Sequence, residues 1–225
     1  MLVNALDIAA QPVMSPAHIE TLHLEILDYQ EALELQRSIH ALVADNQREN
    51  TVILLQHHSV YTAGKRTTPS ERPLDGTPVI DVDRGGKITW HGPGQLVGYP
   101  IVRLAKPTEL VGFVRELESA LINVCASFGI QAERIAGRSG VWVRDEKGER
   151  KIAAIGIRVA QGVTMHGFAL NVNPDLTAFN RIVPCGISDA TVTSMEIELG
   201  KKITCSDVLQ EVEHHIVSAL EKVSR

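Results

Sequence analysis

The sequence predicts an α+β domain with a mainly antiparallel or mixed sheet flanked by helices. Two observations carry this. β-branched and apolar segments come in runs, separated by glycine-rich or polar turns. Segments with three- and four-residue apolar spacing fall before, between and after those runs. The chain has 225 residues, 44% of them hydrophobic, which suffices for one domain with a sizeable core spanning residues 1–225.

Residues 18–45 are expected to form the first helix, with Leu24, Leu27, Leu35, Ile39 and Leu42 forming much of its apolar face. Thr51 to Leu55 then reads as a buried strand. Val79 to Asp83 and Leu96 to Val102 also read as strands, with a polar, glycine-lined loop held between them. Thr108 opens a second helix, whose apolar stripe runs from Leu110 to Phe128 and is stopped by Gly129. Val141–Arg144 and Lys151–Val159 flank the polar turn Asp145 to Glu149 as a hairpin. Val163–Val172 is the next strand. Ser206 is placed to cap a final helix carrying Val208, Val212, Ile216 and Leu220.

No apolar run approaches the roughly 20 residues that a membrane span needs, and no secretion signal is visible. Cys125, Cys185 and Cys205 are odd in number and lack metal-type spacing, which points to a reducing, cytoplasmic setting. The net charge of -5 argues against a general nucleic-acid binder. Bases outnumber acids between Arg134 and Arg158, which could form a basic surface that steers an acidic protein partner, or an ordinary solvated hairpin.

The loop between the predicted strands is Arg84-Gly85-Gly86-Lys87-Ile88-Thr89-Trp90-His91-Gly92-Pro93-Gly94-Gln95. Its glycines exclude a helix interior. They let a ligand approach the backbone closely, beside side chains that hydrogen-bond. The glycines fit neither a dinucleotide fingerprint nor a P-loop.

Cys185 lies in Pro184-Cys185-Gly186, a turn sequence with room for a substrate. A reactive thiol needs a cation, a metal or a helix N-terminus nearby. None is visible locally, and a buried, inert cysteine is the plainer alternative. Cys125, on a helix stripe, and Cys205 are expected to be structural. Lys151 leads a mostly apolar strand, either as an edge gatekeeper or as a lysine beside a thiolate. His91 and His166 are candidate bases. No pair of likely ligands has short spacing, so no metal site is expected.

The ordered combination Arg84-Gly85-Gly86, Thr89, His91-Gly92-Pro93-Gly94-Gln95 and Tyr99-Pro100 closely resembles the signature of the lipoate-biosynthesis octanoyltransferases. The resemblance extends through Gly137 to Trp142, Lys151-Ile152-Ala153 and Gly156. It continues through His166-Gly167, Asn171-Val172, Asp175-Leu176 and Phe179 to Pro184-Cys185-Gly186. It covers about residues 80–190 and the helix before them.

The resemblance implies a biotin/lipoate protein ligase-like fold and no cofactor. It implies Cys185 as the acyl-thioester nucleophile and Lys151 as its partner. It also implies acyl-substrate contacts from Arg84, Gly85, Gly86, Lys87, Ile88, Thr89, Trp90 and His91, from Ala154, Ile155 and Gly156, and from Gly167, Phe168 and Ala169. The donor would be octanoyl-acyl carrier protein. The acceptors would be lipoyl domains of 2-oxoacid dehydrogenase E2 subunits and the glycine cleavage H protein. Phe168 stands where an aliphatic residue is expected in many relatives, and could reshape the acyl pocket. The rivals are an ATP-dependent lipoate or biotin ligase, which would not need Cys185, and a non-catalytic carrier-binding protein.

Overall fold

A computed structural model describes residues 18–74, 76–106, 108, 110–182 and 191–225. Its main sheet has the order β1 (Ile19–Leu27), β2 (Asn50–His57), β6 (Gln95–Ile101), β10 (Val163–Asn171), β9 (Gly148–Ala160), β8 (Arg138–Asp145) and β7 (Glu133–Ile135). Pairing is antiparallel except for β1 with β2, and for β11 (Thr191–Val192), which lies parallel to β9. A small second sheet has the order β4 (Val79–Asp81), β3 (Val60–Ala63), β5 (Thr89–His91). This is the predicted α+β class with a mixed sheet.

The two faces of the main sheet bury different cores. On one lies α1 (Tyr29–Ala44), whose Ala32, Leu35, Ile39 and Val43 pack against Ile53, Val97, Tyr99 and Ala169. On the other lie α2 (Leu110–Ser127) and α4 (Cys205–Leu220), which close over Leu54, Val141, Ile152, Phe168 and Leu170. The short α3 (Met195–Leu199) follows β11. Gly129, at φ 85°, ends α2, and Ile130 N–H returns to the Cys125 carbonyl at 2.9 Å. The β8–β9 hairpin turns at Glu146-Lys147, with Gly148 at φ 95°. Cys125 and Cys205 are buried, and burial pushes each thiol up to about 12. No helix among the described residues is long and apolar enough to cross a membrane.

Three expectations need correction. Residues 18–27 are not helical: Ile19–Leu27 form β1, parallel to β2. Leu22 and Leu24 alternate onto the α1 core as strand residues do, and only the Leu24–Leu27 spacing imitated a helix. The helix begins after Asp28, whose carboxylate accepts the Gln30 N–H at 2.8 Å. Val79–Asp81 is a short, half-exposed strand of the small sheet and lies outside the core sheet. The final helix is capped by Thr204, not Ser206. The Asp207 carboxylate accepts the Thr204 N–H at 2.8 Å, and Ser206 falls inside the first turn.

Thr204→Ala is expected to lower stability by about 1 kcal/mol, or about 2–4 °C in Tm. Ser206→Ala is expected to stay within about 0.5 kcal/mol. Thermal denaturation of the two variants checks the assignment, and equal losses would refute it.

Candidate active site

A cavity of about 450 Å³ opens on the α1 face of the sheet, within the range of small-molecule sites. Its floor is the central strands: Val97 and Tyr99 from β6, Gly167 to Ala169 from β10, and Ala154 to Gly156 from β9. Its roof is the glycine loop. The buried Arg84 guanidinium holds that loop in shape. It donates to the Thr62 carbonyl and hydroxyl at 2.8 and 2.9 Å, and to the Gly85 and Lys87 carbonyls at 3.0 and 2.8 Å. Gly85 N–H donates to the Ile157 carbonyl at 3.1 Å and pins the roof to β9. Gly156 lets the loop lie flat there, since a Cβ would stand 3.1 Å from both Arg84 Cδ and the Gly85 carbonyl oxygen.

Lys151 lines the cavity and is only 7% exposed, although it is a lysine. It is no edge gatekeeper. At its position β9 is flanked by β8, where it pairs with Trp142, and by β11, where it pairs with Val192. Its Nζ stands 4.6 Å from the centre of the Trp142 ring. The adjoining Gly137–Ser139 segment, where β8 begins, is also in the cavity wall and is held by buried Glu118, which accepts the Gly140 N–H at 3.0 Å.

Cys185, the predicted nucleophile, lies outside the described residues. Val192, seven positions later, is the register partner of Lys151. Of the other expected site residues, Arg84, Gly86, Lys87, Thr89, His91, Ala154, Ile155, Gly156, Gly167, Phe168 and Ala169 line the cavity with Lys151. Gly85 sits behind it, bound to β9. Ile88 and Trp90 turn away into a separate small core with Tyr61, Phe179 and Ile182. The Phe168 ring packs into the larger core against Gly98, where a Cβ would stand 2.2 Å from its tip.

One end of the cavity is built from groups that the sequence reading left out or undervalued. Tyr29 stacks on His91 with ring centres 6.0 Å apart and planes 11° apart. His57 donates from Nδ1 to the Leu27 carbonyl at 2.9 Å, so its Nε2 accepts the Tyr99 hydroxyl at 2.6 Å. His91 Nδ1 lies 2.7 Å from Gln95 Oε1, and Gln95 Nε2 lies 2.8 Å from Asn171 Oδ1. The Asp28 cap was the available signal for Tyr29, and it was hidden by extending the helix back to residue 18.

His166 adopts φ 58° and bonds Asp83 through Nε2 at 2.7 Å. Burial opposes ionisation of Asp83, but the His166 bond and the Arg158 charge outweigh it and hold the carboxyl low. For His166, burial outweighs Asp83 and depresses the imidazole.

The expected basic surface from Arg134 to Arg158 is not a free field. Arg134 pairs with Glu118, Arg138 with Glu149, Arg144 with Glu133, Arg150 with Asp145 and Glu198, and Arg158 with Asp83. Most of these acids come from other elements, so counting charges within the segment missed them. Such pairs add little stability, but they cancel the field that would steer a partner.

The lipoyl protein ligase A/B catalytic domain family matches residues 28–217. An octanoyltransferase of Salinispora tropica is 62% identical over 197 residues, covering 87% of this chain and 92% of that protein. The chain belongs to the octanoyltransferases of this family. Among solved structures, the bipartite lipoate protein ligase of Thermoplasma acidophilum superposes with a TM-score of 0.66 at 16% identity, covering 90% of this chain and 84% of the other. The apo biotin protein ligase of Aquifex aeolicus superposes with a TM-score of 0.51 at 17% identity, covering 91% and 70%. The expected biotin/lipoate ligase-like fold is therefore the fold observed.

Burial is the main cause that lowers His57 to about 4 and His91 to about 3. Unfolded imidazoles, near 6.5, bind protons that the folded ones refuse. This contribution to stability is fully present above about pH 6.5 and is lost as pH falls toward 4. The imidazole resonances of His57 and His91 are expected not to titrate between pH 5 and 8 by NMR, while the urea midpoint falls from pH 6.5 to 4.5. A midpoint near 6.5 for either ring would contradict this.

Proposed function

We propose that the chain transfers an octanoyl group from octanoyl-acyl carrier protein, through a thioester on Cys185, to the lysine amine of lipoyl domains. The observation that carries this reading is Lys151. A buried lysine on the wall of an apolar-floored cavity, next to the strand that follows the Cys185 segment, is the cation that a reactive thiol requires. The 62% identity to an octanoyltransferase supports the choice of acyl group.

The chemistry divides into two exchanges. The Cys185 thiolate attacks the donor thioester carbon. A new C–S bond forms, the old one breaks, and the carrier thiolate takes a proton from the Lys151 ammonium. An acceptor lysine then attacks octanoyl-Cys185. A C–N bond forms, the C–S bond breaks, and the nitrogen gives its surplus proton to neutral Lys151. Thioester exchange is nearly balanced and amide formation runs downhill, so no ATP is required. The oxyanion needs backbone donors from the glycine loop. Gly85 and Gly94 are already engaged, by the Ile157 carbonyl and by Gln56 Oε1, which narrows the donors to other loop positions.

The acyl chain lies over Ala154, Gly167 and Ala169 and runs toward Val97 and Tyr99. Register places Val97, Ala169 and Ala154 in one line across three strands, and Gly167 opposite Gly156. Small floor residues leave space for methylenes. Six or seven of these would contribute roughly 5 kcal/mol at about 0.8 kcal/mol each. The acceptors are lipoyl domains of 2-oxoacid dehydrogenase E2 subunits and the glycine cleavage H protein. A thiol nucleophile suits a reducing cytoplasm.

Lys151→Ala is expected to slow both half-reactions by at least about 10²-fold in single-turnover assays. Unchanged half-reactions would remove Lys151 from the mechanism. Octanoyl carrier should be preferred over hexadecanoyl carrier, and equal rates would refute the proposed chain path.

A further inference from the structure

The buried hydrogen bonds between Thr193 and His91 can run in only one direction. The Thr193 carbonyl can only accept, so the Asn171 amide must present Nδ2 to it, at 2.9 Å. Asn171 Oδ1 then faces Gln95, which must give Nε2, at 2.8 Å. Gln95 is left with Oε1 toward His91 Nδ1, at 2.7 Å. Nδ1 therefore carries the ring proton, and Nε2 holds the lone pair. His91, Gln95, Asn171 and Thr193 are all buried, at 8%, 2%, 4% and 1% exposure. Reversing either amide would set like groups face to face where water offers no easy replacement.

The same Thr193 gives its own N–H to the Lys151 carbonyl at 2.9 Å. The sheet explains why. β10 pairs with β9 as far as Leu170 opposite Ala153, and β11 then takes over opposite Arg150 and Lys151. One residue thus anchors both the cavity lysine and the relay to His91, which also lines the cavity.

Resting on the octanoyltransferase reading, we propose that His91 Nε2 is the hydrogen-bond acceptor that orients the attacking amine, and that Gln95 and Asn171 are positioning residues that hold it in that tautomer. An attacking amine must aim its lone pair at the thioester carbon and its N–H groups elsewhere. Arg66, Arg84 and Arg138 in the cavity wall can only donate. A fixed imidazole lone pair supplies the acceptor they cannot. Burial keeps this ring neutral, at about 3, so it orients the amine and leaves the proton to Lys151.

The test has two readouts. Long-range 1H–15N NMR of the imidazoles, with His91 assigned by its loss in His91→Gln, should show the Nδ1–H tautomer in the native protein. Gln95→Leu should mix the tautomers and slow single-turnover transfer from octanoyl-enzyme to a lipoyl domain by about 10²-fold. The KM for that domain should stay within about twofold, as expected when positioning rather than docking is lost. An Nε2–H tautomer in the native protein, or transfer by Gln95→Leu within about threefold of native, would overturn the proposal. Should the native protein form no octanoyl-enzyme, the transferase reading fails. The native tautomer then still decides the relay by itself, Nδ1–H upholding it and Nε2–H overturning it.

Discussion

A buried guanidinium organises the site. Arg84 is 8% exposed, and a cation so placed needs acceptors on every side. Thr62 supplies two, and the loop's own carbonyls at Gly85 and Lys87 supply others. The loop must therefore curl around the side chain that begins it, which accounts for its glycines. Gly86 takes φ 84°, and a Cβ on Gly64 would stand 2.6 Å from the Gly86 carbonyl oxygen and 2.7 Å from Arg84 Nη1. Once curled, the loop is laid on β9 over Gly156, and the space beneath it is the cavity.

The sheet contributes a second constraint. Its two faces have separate work. The α2–α4 face is a close-packed apolar core, into which even Phe168 turns. The α1 face carries the same kind of packing toward β2 and β6, but opens where α1 begins. There the floor is mostly alanine and glycine beside Val97 and Tyr99, and the walls include Tyr29, His91 and Lys151. The exchange of β10 for β11 beside β9 brings Thr193 to the Lys151 backbone and to Asn171 together.

What could be read from the sequence follows from how local each signal was. The β8–β9 hairpin, β10 and α2 were legible because turn residues and apolar period agreed with each other. The ligase-like fold and most cavity residues were legible through three ordered motif blocks. Residues 18–27 were misread because Leu24 and Leu27 stand three apart, as on a helix, whereas parallel pairing with β2, with a register shift between His23 and Ile26, makes the segment a strand. Ile88 and Trp90 belong to the motif but face Phe179 and Ile182, a direction fixed by β3–β5 pairing that no spacing reveals. The arginines of β7, β8 and β9 resembled a docking surface because most of their carboxylates, Glu118, Glu133, Glu198 and Asp83, lie outside the Arg134–Arg158 segment. The His91–Gln95–Asn171 relay spans 102 residues to Thr193, beyond the reach of any local pattern.

The proposed mechanism passes through a covalent acyl-enzyme formed without nucleotide. The most direct measurement is the intact mass of the protein after mixing with octanoyl-acyl carrier protein in the absence of ATP. A single octanoyl adduct, removed by hydroxylamine and mapping to Cys185, is the expected result. No adduct, with octanoate and ATP instead supporting lysine modification of a lipoyl domain, would contradict it and make the chain a ligase.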